Sequence, residues 1–265
     1  MLFRSDVRLR EPDGQTLLTL PEARIAVDPA ALARGQLRPQ SLALVGARLS
    51  LRRNATGQFD LASDGAGVRL AAGQTLGALF DAGDAVFQSP ALSALMRVDV
   101  EGLSLTVSDA RAGRTWELGD GRLVIERRPD ALAGELSVTL IEGGRAPALA
   151  TITVETALKD GSARMSASLT GMAADDVASL AAPLSVLSVL DAPISGRIAG
   201  NLDSAGRLAG LEGELDLGAG ALRPEGNAEP LAFEKAGLSL AYDPVRAAVT
   251  LRRLAVESQI GRAHV

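Results

Sequence analysis

Cysteine is absent from the 265 residues, which excludes disulfides, thiolate nucleophiles and Cys-ligated zinc. Histidine occurs once, at His264, which argues against histidine-centred catalysis and multi-histidine metal sites. Aromatic residues make up 3% of the chain, too few for the stacking platforms that hold single-stranded nucleic acid or sugars. Lysine is nearly missing: Lys159 and Lys235 stand against 25 Arg. The formal net charge is -5, so no basic footprint for nucleic acid or an anionic membrane surface is visible. Long apolar runs are absent too. The longest uncharged apolar stretch, 177–190, falls short of the roughly 20 residues a bilayer span needs, and Pro183 interrupts it. The first residues, Met-Leu-Phe-Arg-Ser-Asp, contain no apolar signal core.

What is present is alternation. At 47% apolar the chain can bury a sizeable core. Leu103, Leu105 and Val107 alternate with Ser104, Thr106 and Ser108. Leu136, Val138 and Leu140 alternate with Ser137 and Thr139, and Ile152 and Val154 with Thr151, Thr153 and Glu155. The same parity runs through Met165, Ala167 and Leu169, through Ile194, Ile198 and Leu202, through Leu215 and Leu217, and through Leu238, Leu240 and Tyr242. Period two with one apolar side is the pattern of half-buried strands.

Turn residues punctuate these runs at Asp13-Gly14, Asn54 to Gly57, Asp109 to Gly113, Asp120-Gly121, Asp160-Gly161 and Asp203 to Gly206. They predict hairpins, hence antiparallel meanders, with bulges where parity slips at Gly46 and at Arg252-Arg253. Three stretches read as helix: a turn at Pro29 to Arg34 capped by Asp28 and closed by Gly35, a segment over 74–96, and one over 173–190 split at Pro183. Asp175 and Asp176 fall in the first turn of the last, where carboxylates favour the helix dipole. One-sided sheets with so few helices must fold on themselves or curl around an apolar ligand.

The search for chemistry returns little. Lys159 and Lys235, the only partners for a Ser-Lys pair, lie beside turns and read as solvated surface. The acids sit mostly at wet strand positions, and Gly65-Ala-Gly67 lacks a phosphate-cradle pattern. Arg52-Arg53, Arg127-Arg128 and Arg252-Arg253 read as strand-end pairs facing solvent rather than phosphate grips.

Two stretches resemble a family. Val7 to Leu61 contains a strand, a D-x-G-type hairpin, a strand to Leu20-Pro21, and a short helical turn from Ala30 to Gly35. It continues as L-R-P-x-S-L-x-L-x-G-A-x-L-S-L-R-R and closes as N-x-x-G-x-F over Asn54 to Phe59. This is similar to the recurring unit of the AsmA-like envelope proteins, near the YhdP and TamB branches. Leu187 to Gly220 resembles the YhdP-type continuation, in which a-P-x-x-G opens a meander.

The resemblance implies a bridge-like lipid transfer protein: a mainly β fold, a long curved antiparallel meander sheet forming a trough with an apolar inner face, and short helical insertions. It implies a non-enzymatic periplasmic protein, anchored to the inner membrane in its full-length form, that conducts phospholipid between inner and outer membrane and supports envelope integrity. The expected partners are phospholipid acyl chains and the two membranes, reached through parts missing from this chain; no nucleic acid and no cofactor is expected. The expected groove lining is Leu103, Leu105, Val107, Leu136, Val138, Leu140, Ile152, Val154, Ile198, Leu202, Leu215 and Leu217. Two other readings compete: a TamB-like periplasmic assembly factor for outer-membrane proteins, and a carbohydrate-active enzyme on an all-β scaffold, which the aromatic count opposes.

The expected organisation is an AsmA-like β unit over 1–72, a helical insertion over 73–97, a β meander over 98–171, a helical segment over 172–191 and a YhdP-like meander over 192–259. Residues 260–265, Ile-Gly-Arg-Ala-His-Val, are the translation of ATC GGA AGA GCA CAC GTC, the start of a common sequencing adapter. They are expected to be a non-native tail on a truncated fragment.

Overall fold

Alternating sequences make strands, and turn residues decide where each strand reverses. The structure, a computed structural model, describes residues 2–10, 16–63, 68–74, 93–141, 147–180, 182–223, 229–258 and 261–264. The order begins β1 (Leu2–Arg10), β2 (Thr16–Val27), helix α1 (Pro29–Leu32), β3 (Pro39–Val45), β4 (Arg48–Arg53), β5 (Phe59–Ser63) and β6 (Val68–Gln74). It continues with β7 (Arg97–Asp109), β8 (Arg114–Arg127), β9 (Ala131–Leu140), β10 (Ala148–Ala157) and β11 (Ala163–Ala173). Helix α2 (Ala174–Leu180) and a 3-10 helix (Ala182–Val189) follow. The rest is β12 (Leu190–Asp191), β13 (Pro193–Leu202), β14 (Leu208–Leu217), β15 (Gly220–Leu222), β16 (Leu231–Phe233), β17 (Lys235–Asp243), β18 (Ala248–Ser258) and β19 (Gly261–His264).

The fold is mainly β and open. Sixteen strands share one sheet, in the order β1-β2-β3-β7-β8-β9-β10-β11-β13-β14-β17-β18-β19, with β4, β5 and β6 branching beside β7. A small second sheet joins β12, β15 and β16. From β7 onward the large sheet is the expected antiparallel meander. Its other end departs from that expectation, because β3 and β4 both pair parallel with β7. Gly46, at φ 74, kinks between these two strands, and its N–H donates to the Glu101 carbonyl at 2.8 Å. Residues 54–96 separate β4 from β7, long enough for a parallel crossover, and the hairpin expected at Asn54 to Gly57 joins β4 to β5.

Most turn expectations hold. Asp28 Oδ1 accepts from the N–H groups of Ala30 and Ala31 to cap α1, and Gly35 closes it at φ 74. Asn54 Oδ1 accepts from the backbone of Thr56 and Gln58, and Asp203 Oδ1 from Ala205 and Arg207. Arg252-Arg253 forms the expected bulge against Ser239 and Leu240. Asp120-Gly121 is a correction: it is a bulge inside β8, not a hairpin turn. Asp120 takes φ 49, and the register shifts there against both β7 and β9. A side chain on Gly121 would place its Cβ 2.6 Å from the Leu103 carbonyl oxygen, so the close crossing demands glycine. The Asp13-Gly14 turn and most of the helix expected over 73–97 lie outside the described residues.

The helical segment expected over 173–190, split at Pro183, appears as α2 and a 3-10 helix, with Pro183 inside the 3-10 helix and Ala173 and Leu190 in the flanking strands. They pack on the apolar side of the sheet. Val177, Leu184 and Leu187 are buried against Val138, Leu140, Leu169, Ile194, Leu215 and Leu217. One polar anchor secures them. Arg114 Nη1 and Trp116 Nε1 of β8 both donate to Asp176 Oδ1, at 2.6 and 2.8 Å. A smaller apolar cluster of Ala47, Val100 and Leu103 marks the β3–β7 junction.

Candidate functional site

Register partners in a sheet project side chains to the same face, so the pairings trace apolar rows across the strands. One row runs Leu123–Leu136–Ile152–Ala167–Ile198 from β8 to β13. It extends one way through Val100 and Leu44 to Ala23, and the other through Gly213 and Leu240 to Leu251. Across strands about 4.8 Å apart, eleven strands carry this row over roughly 48 Å. Leu240 and Ile198 approach closely enough to fill the space above Gly213. No polar side chain interrupts the row.

A second row lies beside it: Ile25, Leu42, Val98, Ile125, Gly134, Val154, Met165, Gly200, Leu211, Tyr242 and Val249. Most of its members are half-buried. At the β18 end both rows reach solvent, where Val249 and Leu251 are 40% and 54% exposed. A third row, Val138–Ala150–Leu169, is buried beneath the helical segment. The apolar face therefore divides into a covered strip, which also takes in Ile198, Leu211 and Leu240 of the first two rows, and a lane of half-buried residues beside it.

The twelve expected lining residues fall on both sides of that division. Leu103, Val138, Leu140, Ile198, Leu202, Leu215 and Leu217 are buried. Leu105, Val107, Leu136, Ile152 and Val154 are half-buried, and Leu136 packs against the core clusters. Leu105, Val107, Ile152 and Val154 belong to neither cluster and remain as the accessible set. Gly134 and Met165 flank Val154 in the second row but are missing from the expected lining, as are the row's other members. Met165 was readable from its alternation; Gly134 carries no apolar side chain to mark it.

The opposite face carries a cavity of about 1030 Å³. Arg122, Glu135, Thr153, Ser166, Arg197 and Glu212 are among its lining groups; of the twelve expected residues only Val154 touches it, beside Gly134, Met165, Gly200, Leu211 and Tyr242 of the second row. Ion pairs knit this face together. Arg97 pairs with Asp99 at 2.6 Å and with Glu126; Arg128 and Arg164 share Glu155; Arg252 meets Glu212 at 2.9 Å. Hydroxyls bridge neighbouring strands, Ser137 with Thr151 and Thr153 with Ser166.

The hydrogen bond from Arg97 holds the Asp99 carboxyl below the usual aspartate range, against an opposing desolvation. The folded state thus favours the ionised form. Its stabilisation is full above the ordinary aspartate pKa and is lost as pH falls through the lowered value. Asp99→Asn is expected to flatten the acid limb of a stability-against-pH curve and leave its neutral-to-alkaline shape intact, as read by denaturant midpoints.

Among the described residues, no group of His, Asp and Glu is arranged to hold a metal ion. No described helix is long and apolar enough to cross a membrane. No protein-family model, curated protein or solved structure matches the chain.

Proposed function

We propose that the chain is a segment of a lipid-conducting envelope protein, with the uncovered lane on the apolar face carrying phospholipid acyl chains. The observation behind this reading is the pair of apolar rows that cross eleven strands at right angles to the chain direction. Aliphatic side chains attract acyl chains by dispersion and water exclusion without directional bonds, so a chain slides along the row instead of docking at one point. A soluble domain that needed only a core has no use for an apolar surface extending past the helices that cover it. The resemblance to AsmA-like repeats supports a periplasmic conduit between inner and outer membrane.

Gly134 gives a direct test. Its position lies in the uncovered lane, and an added Cβ there meets nothing within 4 Å. Gly134→Trp is expected to leave the fold intact, obstruct the lane, and reduce phospholipid co-purified with the protein several-fold. Lipid content by mass spectrometry, with circular dichroism as the fold control, reads the outcome. Unchanged lipid in a folded Gly134→Trp protein, or no lipid in the wild type, would overturn the conduit.

A further inference from the structure

We infer that the charged face holds a second ligand site, one that takes a phosphate group on a hydroxyl-rich molecule. The cavity on that face, about 1030 Å³, is far larger than an isolated anion needs and falls in the size range of small-molecule sites. Its arginines are not equivalent. Arg97, Arg122, Arg128, Arg164 and Arg252 are each held by carboxylates. Arg197 is not. Among the described residues its side chain has one partner, Ser166 Oγ, to which Nη2 donates at 3.2 Å. It turns toward β11 although its register partner on the other side is Glu214.

On the β11 side of Arg197 the neighbours are hydroxyls. Ser166 Oγ lies 2.8 Å from Thr153 Oγ1, and Ser168 is the register partner of Arg197 on β11. A guanidinium with free N–H groups beside rotatable hydroxyls suits a phosphate, which accepts from both. The remaining wall is more polar than apolar: paired charges and hydroxyls offer donors and acceptors, with Val124, Ala133 and Ala199 between them. That favours sugar or glycerol hydroxyls over an acyl chain for the rest of the ligand. The charged side chains of this site project from the face opposite the apolar rows, and the site does not depend on the acyl reading.

Glycerol 3-phosphate and glucose 1-phosphate are the soluble probes, with glycerol and glucose as uncharged controls. Calorimetric titration of the wild-type chain is expected to show saturable binding of a phosphorylated probe and none of its control. Arg197→Gln is expected to weaken that binding by about tenfold, the loss of one charge-assisted contact. Arg223→Gln, an exposed arginine outside the cavity and paired with Asp191, is expected to change it less than about threefold. Flotation with phosphatidylglycerol vesicles separates the two sources of the phosphate. Arg197-dependent flotation assigns a lipid headgroup, and soluble binding without flotation assigns a free phosphorylated molecule. Absence of both soluble binding and Arg197-dependent flotation, or equal losses in folded Arg197→Gln and Arg223→Gln proteins, would overturn the site.

Discussion

Val138→Asp is expected to abolish the folded state, while Ile152→Asp leaves it standing but free of lipid. Both residues are aliphatic and project from the same face of adjacent strands, so sequence context alone forecasts equal effects. The structure separates them. Val138 is buried, 3% exposed, within the cluster that α2 and the 3-10 helix cover. A carboxylate there has no partner and no water, and costs several kcal/mol, comparable to the whole stability of an ordinary domain. Ile152 is half-buried and outside that cluster. Its replacement keeps water on one side, so the charge is tolerated, while the lane acquires a hydrated barrier that acyl chains do not pass. Thermal unfolding of both variants, together with extracted lipid, reads the contrast. Cooperative unfolding of the Ile152→Asp protein at the wild-type midpoint with wild-type lipid content would contradict the assignment of this residue to the lane.

Removal of the Asp176 carboxylate is expected to be the next most damaging change. Asp176 is almost wholly buried and receives two hydrogen bonds from β8, one from a charged group. Asp176→Ala strands the Trp116 N–H and leaves Arg114 without its close partner. Breaking a buried pair in this way costs about 3–5 kcal/mol. The Arg114 side chain is 34% exposed and keeps part of its hydration, which points to the lower end of that range. Asp175 is the control. It is 54% exposed and 3.6 Å from Arg114, so Asp175→Ala should cost under about 1 kcal/mol. Denaturant titration measures the two losses, and hydrogen exchange over 174–189 shows whether the helical segment is what loosens. Equal costs for the two alanine variants would show that the buried anchor carries no special weight.

These contrasts also show which parts of the molecule local sequence can specify. Strands were legible because alternation is a local property: Leu136, Val138 and Leu140 announce a face without reference to any other strand. The cap on α1 was legible for the same reason, since Asp28 reaches only two and three residues along the chain. Asp120-Gly121 misled because a tight turn and a bulge ask for the same residues; continuation of β8 past it depends on β7 and β9 running alongside. The parallel pairing of β3 and β4 with β7 reflects a crossover of intermediate chain, invisible in any short window. The Arg114–Asp176 pair joins positions 62 apart, and neither flanking sequence signals it. The division of the expected lining into core and lane depends on where residues 174–189 settle, a tertiary event that alternation does not encode. The cavity on the charged face was missed because its walls are residues that alternation assigns simply to solvent.

The antiparallel meander from β7 to β18 separates the length of the lane from its width. Each hairpin inserted into such a sheet advances the apolar rows by two strand spacings, about 9.6 Å, and leaves the cross-section unchanged. Strand length and the position of the helical cover set the width; the number of hairpins sets the reach. Duplication of one hairpin's worth of sequence is therefore enough to lengthen the rows, without redesign of the apolar surface.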